Sequence, residues 1–194
     1  MNLSRTLIGG LAFSVAGAAA AFAQDAPAAP PPKPDVKTVE DWQVRCYPVQ
    51  AVAPCDMLQE QGDRQSGRKS LSLSISYIPS MDRHAIIVSV PLDVSLAKGV
   101  VLQTDSYTSP TLKYRMCTRD GCFVQAPVDN DLVASVAKST GEGRVIVVGD
   151  DGKTYPIKFS LKGFAQAHDD MVAQAKAKAT KQPPAQAGAA PAQH

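Results

Sequence analysis

The residues with the most evident chemistry are four cysteines, Cys46, Cys55, Cys117 and Cys122. Cysteines can ligate a metal, take part in redox exchange or form disulfides. Neither local pair has C-x-x-C spacing and no histidine lies close to either, so metal ligation and redox chemistry are the less favoured alternatives. An even number of cysteines is typical of disulfides in an exported chain. Of the three possible connectivities, proximity favours Cys46–Cys55 and Cys117–Cys122, the second across a tight turn that contains Gly121.

The three histidines stand in settings that do not indicate a catalytic base. His84 lies in a predicted hairpin turn, His168 is expected in a solvated charge cluster beside two aspartates, and His194 ends the chain. Three aspartates could converge on a site, but each has a local turn or capping role available: Asp105, Asp129 and Asp131. The sequence has no P-loop, dinucleotide-binding glycine motif, H-E-x-x-H motif or EF-hand. We therefore expect a protein that is not an enzyme and has no cofactor and no metal site.

The first 23 residues are typical of a cleaved signal peptide. Arg5 precedes an apolar run of about fifteen residues, and residues 21–23 (AFA) have the small-x-small pattern that signal peptidase cleaves. An uncleaved anchor is the alternative, but the run is short for spanning a bilayer. No later window is apolar enough for a transmembrane segment, so we expect an exported mature chain without one.

Two flanking segments are predicted to be disordered, a Pro/Ala-rich linker at residues 24–37 and an Ala/Lys/Pro-rich tail at residues 173–194. Lys176, Lys178 and Lys181 in the tail allow a weak contact with an anionic surface, although a solvated tail is favoured. Residues 36–170 contain 15 basic and 16 acidic residues. This near-neutral balance argues against a nucleic-acid partner.

Residues 38–172 are predicted to form one all-β domain because apolar and polar residues alternate along them. In residues 70–77 (SLSLSISY) every second residue is apolar or aromatic, as in a half-buried antiparallel strand. About nine such strands are typical of a sandwich or barrel. A short helix is predicted from Asp129 or Asn130 and a C-terminal helix from Phe164. Trp42 is expected in the core near a disulfide, with a binding-site tryptophan as the alternative.

Five motifs in order resemble the invasion-associated locus B family of alphaproteobacteria. They are residues 41–46 (DWQVRC), 55–59 (CDMLQ), 90–94 (VPLDV) with 98–102 (KGVVL), 117–122 (CTRDGC) and 160–164 (SLKGF). The resemblance covers about residues 38–172 and departs from the family at Asp93, where members often have glycine. It implies an immunoglobulin-like antiparallel β-sandwich in the periplasm, secreted or at the outer envelope of a Gram-negative bacterium. It also implies an association with host-cell invasion, and it transfers no catalytic residue.

Together these features predict an exported, disulfide-stabilised, non-catalytic interaction module whose partner is an envelope or host protein. The residues expected to have structural roles are Trp42, Gly121, Gly163 and Phe164. A periplasmic solute-binding protein or small hydrolase is the alternative function. A deep polar pocket that contains His84 or converging carboxylates would favour that alternative, and a solid sandwich would exclude it.

Overall fold

The computed structural model describes residues 32–62 and 67–181. The predicted signal peptide, residues 24–31 of the linker and residues 182–194 of the tail lie outside the described residues. Within the described part there are ten strands: β1 (Asp35–Val39), β2 (Trp42–Cys46), β3 (Cys55–Gly62), β4 (Lys69–Ile78), β5 (Arg83–Val90), β6 (Val100–Gln103), β7 (Tyr114–Thr118), β8 (Gly121–Val128), β9 (Glu142–Val148) and β10 (Thr154–Ser160). Two helices accompany them, α1 (Asn130–Lys138) and α2 (Phe164–Lys181).

The strands form two antiparallel sheets. The larger has the order β1-β2-β3-β4-β5-β8-β7, and the smaller has the order β10-β9-β6. Strands β1 to β5 are neighbours in the order in which they occur along the chain, as short antiparallel connections allow. The all-β antiparallel sandwich with a short helix and a C-terminal helix is therefore confirmed.

The core is built from the alternation that predicted the strands. In β4, Leu71, Leu73 and Ile75 are almost completely buried, while the serines between them lie on the opposite face. One continuous hydrophobic cluster joins residues of both sheets and both helices. Because a fully buried aliphatic side chain contributes about 1.5–3 kcal/mol, this shared cluster stabilises both layers and the helices together.

Two of the predicted segment boundaries are wrong. Residues 35–37, expected in the linker, belong to β1, which pairs with β2 along its whole length. Residues 173–181, expected in the disordered tail, continue α2. Pairing with β2 and an ion pair between Lys37 and Asp170 hold β1 in place. Alanine and lysine favour the helical state, and Ala175 is fully buried, so α2 continues where composition alone suggested disorder.

Candidate functional site

The four cysteines form two disulfides, Cys46–Cys55 and Cys117–Cys122. The first joins β2 to β3 inside the core, and the second closes the β7–β8 hairpin with Cys117 exposed. Each disulfide links directly opposed residues of an antiparallel pair, so both serve to fasten a connection between strands. Gly121 in the second hairpin has φ 140°, and a Cβ atom there would lie 2.4 Å from the carbonyl oxygen of the last residue of β5.

Trp42 and Phe164 lie together in the core, where they attach the start of α2 to the larger sheet. Their rings meet edge to face with centroids 5.1 Å apart, and Trp42 Nε1 donates to the carbonyl oxygen of Ser160 at 3.2 Å. The side chain of Gln59 donates to the same oxygen at 3.2 Å and accepts from the Ser160 amide at 2.7 Å. Gly163 has φ 79°, which favours glycine at this turn. Because Trp42 is fully buried, its side chain is not a surface ligand contact.

A hydrogen-bonded charged group lies on the face of the larger sheet opposite to Trp42. Arg45 Nε donates to Asp56 Oδ1 at 3.0 Å, and its Nη2 donates to Asp56 Oδ2. Ser74 Oγ donates to Asp56 Oδ2 at 2.8 Å. Asp56 is 9% exposed, so this carboxylate is paired and hydrogen-bonded as a buried charge must be.

His84 and His168 form the clearest cluster of titratable groups. His168 lies on α2 and its side chain is 20% exposed, so the expectation of a solvated charge cluster is wrong. Its Nε2 lies 3.0 Å from Nε2 of His84, which is 5% exposed, on β5. His84 Nδ1 lies 2.8 Å from Asn130 Oδ1. Burial lowers the pKa of His84, and the hydrogen bond to Asn130 opposes this shift without reversing it, so the neutral imidazole is favoured.

Tyr77 and Asp82 border the histidine pair. The Tyr77 ring packs on His84 with centroids 5.1 Å apart, and its hydroxyl donates to Asp82 Oδ1 at 2.6 Å. Burial, followed by this hydrogen bond, raises the pKa of Tyr77 to about 12. Lys176 was expected in the tail, but its ammonium lies 5.4 Å from the Tyr77 ring centroid. The cluster therefore lies between the larger sheet and α2, with Asp82 and Lys176 at its exposed border.

A cleft of about 370 Å³ is bordered by both sheets within the described part of the chain. Its apolar lining comes from the β5–β6 connection and from β9 and β10: Pro91, Val94, Val147, Tyr155 and Ile157. Tyr155 is 45% exposed, and Leu92, which lies between two lining residues in the sequence, is 50% exposed. Exposed apolar side chains beside a concave apolar floor are typical of a binding surface.

Three carboxylates lie among the lining residues, Asp93, Asp150 and Asp151. Tyr155 donates its hydroxyl to Asp151 Oδ2 at 2.8 Å, and the Lys153 amide donates to Oδ1 at 3.0 Å. The hydrogen bond from the Lys153 amide, followed by the one from the Tyr155 hydroxyl, lowers the pKa of Asp151, so this carboxylate is ionised at neutral pH. The Lys153 ammonium also pairs with Asp151, which leaves Asp93 and Asp150 as the less compensated charges.

The structure does not bring the aspartates singled out from the sequence into this cleft. Asp105, Asp129 and Asp131 are exposed and lie in a loop or at the start of α1. Neither the cleft aspartates nor the histidine pair was identified from local motifs. The sequence did contain an indication that the two histidines are buried. His84 occupies one of the alternating positions of β5 that face the core, and His168 lies one helical turn after the buried Phe164 on the same face of α2.

Residues 32–62 and 67–181 contain no group of three or more His, Cys, Asp or Glu side chains placed to hold a metal ion. In that same part of the chain, neither helix is long and apolar enough to cross a membrane.

Fold and disulfides define a small disulfide-bonded antiparallel β-sandwich with a cleft between its layers. The family model for the invasion associated locus B (IalB) protein matches residues 42–172, so the chain belongs to this family. It is 28% identical over 140 residues to an invasion protein B homolog of Brucella abortus strain 2308, covering 72% of this chain and 80% of the relative. The same values hold for a homolog from strain 9-941.

A solved structure shows the same fold. The crystal structure of invasion associated protein B from Bartonella henselae matches with a TM-score of 0.62 and 21% identity. The match covers 72% of this chain and 96% of that chain. Family membership supports an invasion-associated role, and the solved structure supports the fold.

Proposed function

We propose that this protein is an exported, non-catalytic interaction module of the bacterial envelope, and that the cleft between its sheets binds a segment of an envelope or host protein. The observation that carries the proposal is the combination of an apolar floor, carboxylates and the exposed ring of Tyr155 at one site. Such a surface suits a partner segment with both apolar and basic side chains.

Export is supported by the signal-peptide pattern and by the two disulfides, which are typical of proteins outside the cytosol. The test is to isolate the protein from the cell envelope fraction and to determine its N-terminus and its thiol content. Export predicts a chain that begins near Gln24 with both disulfides formed. A cytosolic chain that retains Met1 would contradict it.

The proposal of a non-catalytic role rests on the distance in the fold between the histidine pair and the cleft. The residues that line the cleft, all within the described part of the chain, include no histidine. His84 and His168 instead contact each other under α2. A hydrolase that uses His84 at the cleft is therefore not supported by the geometry.

A solute-binding protein remains the second candidate because the cleft volume of about 370 Å³ falls within the range that small-molecule sites occupy. The two candidates differ in what binds. A protein partner would be captured as a protein from envelope extracts, whereas a solute would co-purify with the chain and be released on unfolding.

The experiment compares capture from envelope extracts by the wild-type chain, by Tyr155→Asp and by Met116→Asp. Met116 is a matched control because it is 54% exposed and lies on the edge strand β7. We expect a partner that binds the wild type and the Met116 variant and is lost with the Tyr155 variant. Equal capture by all three chains, or repeated failure to enrich any partner, would argue against the cleft as the binding surface.

A further inference from the structure

The two histidine rings at the larger sheet and α2 face each other through their Nε2 atoms. Nε2 of His84 and Nε2 of His168 are 3.0 Å apart, and each Nδ1 has an oxygen partner on its other side. For His84 that partner is Asn130 Oδ1 at 2.8 Å, and for His168 it is Asp169 Oδ1 at 3.2 Å. This arrangement determines where the ring protons lie.

Asn130 settles the tautomer of His84. Its Nδ2 donates to the carbonyl oxygen of Asp82 at 3.0 Å, so the oxygen of the amide faces the histidine. A neutral His84 must then donate from Nδ1 and keep a lone pair on Nε2. By the same reasoning, the carboxylate of Asp169 favours a proton on Nδ1 of His168. In this pair of tautomers each ring turns an Nε2 lone pair toward the other, and a cation between them would accept both.

We propose that His84 and His168 bind one divalent transition-metal ion through their Nε2 atoms, with water completing the coordination. Histidine ligands usually donate their other ring N–H to an oxygen, and here Asn130 and Asp169 supply those oxygens. With metal–nitrogen bonds of about 2.0–2.1 Å, a nitrogen separation of 3.0 Å corresponds to an angle of about 95° at the metal. That angle suits neighbouring positions of square-planar or tetragonal Cu²⁺ or Ni²⁺.

Zinc is the poorer fit. A tetrahedral angle with the same bond lengths needs a nitrogen separation of about 3.3 Å, so the rings would have to move apart. The order of divalent affinities also places Cu²⁺ above Zn²⁺ for nitrogen ligands. We therefore expect tighter binding of Cu²⁺ than of Zn²⁺.

Access and charge are compatible with a bound cation. The His168 side chain is 20% exposed, so the pair borders solvent at this residue. The carboxylates of Asp82 and Asp169 lie beside the pair, and the ammonium of Lys176 lies over the Tyr77 ring. The bound ion would connect β5 to α2, and the site is separate from the cleft assigned to the interaction partner.

The test is a calorimetric titration of the untagged full chain with Cu²⁺ and, separately, with Zn²⁺. Electron paramagnetic resonance of the copper-loaded protein then identifies the ligands of the bound copper. We expect one equivalent of Cu²⁺ with nitrogen ligation, and an affinity at least tenfold lower for Zn²⁺. Either His84→Gln or His168→Gln should lower copper affinity by tenfold or more. Asn130→Ala should lower it by about 10–100-fold through the orientation of His84.

His194→Gln is the matched control, because it removes the third histidine of the chain and leaves both members of the pair in place. It should leave affinity and stoichiometry unchanged. His168→Gln changes a partly exposed helix position and should keep the fold, so it decides the outcome even if His84→Gln does not fold. Absence of saturable binding, unchanged affinity in His168→Gln, or loss of binding in His194→Gln would overturn the proposal.

Discussion

Replacing Phe164 with alanine tests whether α2 is an integral part of the sandwich. Phe164 is 1% exposed and meets the fully buried Trp42 edge to face at 5.1 Å. Truncation of a buried phenylalanine costs about 3–5 kcal/mol, of which the aromatic pair accounts for about 0.5–1.5 kcal/mol. We therefore expect Phe164→Ala to destabilise the protein by about 4 kcal/mol.

The assay is urea unfolding followed by the fluorescence of Trp42, the sole tryptophan of the chain. With an m-value of about 2 kcal/mol/M, a loss of about 4 kcal/mol lowers the midpoint by about 2 M. Phe123→Ala is the control, because Phe123 on β8 is only partly buried and should give a smaller shift. A shift below about 0.5 M for Phe164→Ala would refute the reasoning that this ring anchors α2 in the core.

Three further stability predictions rest on single contacts. An added Cβ atom at Gly152 meets no neighbouring atom, but the residue keeps φ 77°, so Gly152→Ala should lower the free energy of unfolding by about 1–2 kcal/mol. At Gly121 the added Cβ atom also lies 2.4 Å from a backbone oxygen, so Gly121→Ala should lower the melting temperature at least twice as far. Equal losses in a thermal melt would exclude the steric argument. Replacing Cys117 and Cys122 with serine should cost about 2–3 kcal/mol by urea unfolding, and an unchanged midpoint would show that the disulfide contributes nothing. Asp56→Ala should lower the free energy of unfolding by about 2–3 kcal/mol, because it removes a buried carboxylate that is hydrogen-bonded to Ser74 and to the partly buried guanidinium of Arg45, and a loss below about 1 kcal/mol would contradict this.

Local pattern predicted much of the fold. The alternation in β2 and β4 follows from side chains that point to opposite faces of a strand, so these strands were predictable from spacing. The helix that begins at Phe164 was predictable for the same reason, from apolar residues at helical spacing. Disulfide bonding was also expected, because short loops keep paired cysteines close.

Segments held by distant partners were not predictable in the same way. Strand β1 follows a Pro-rich stretch and has mostly exposed residues, so its pairing with β2 gives little local signal. The histidine pair is separated by 84 residues in the sequence and forms only because α2 packs across β5. The cleft aspartates come from two separate connections, and their convergence depends on how the two sheets stack.

The most direct test of the proposed function is site-specific photo-crosslinking in intact cells, with a photoreactive phenylalanine derivative at position 155. Tyr155 lines the cleft and is 45% exposed, so an aromatic crosslinker there should face the bound partner. The same group at Met116 or Val36, both 54% exposed and on opposite edge strands, provides the control. We expect one discrete protein adduct from position 155 and none of that mass from the controls. No adduct at position 155, or the same adduct from all three positions, would contradict the assignment of the cleft as the interaction site.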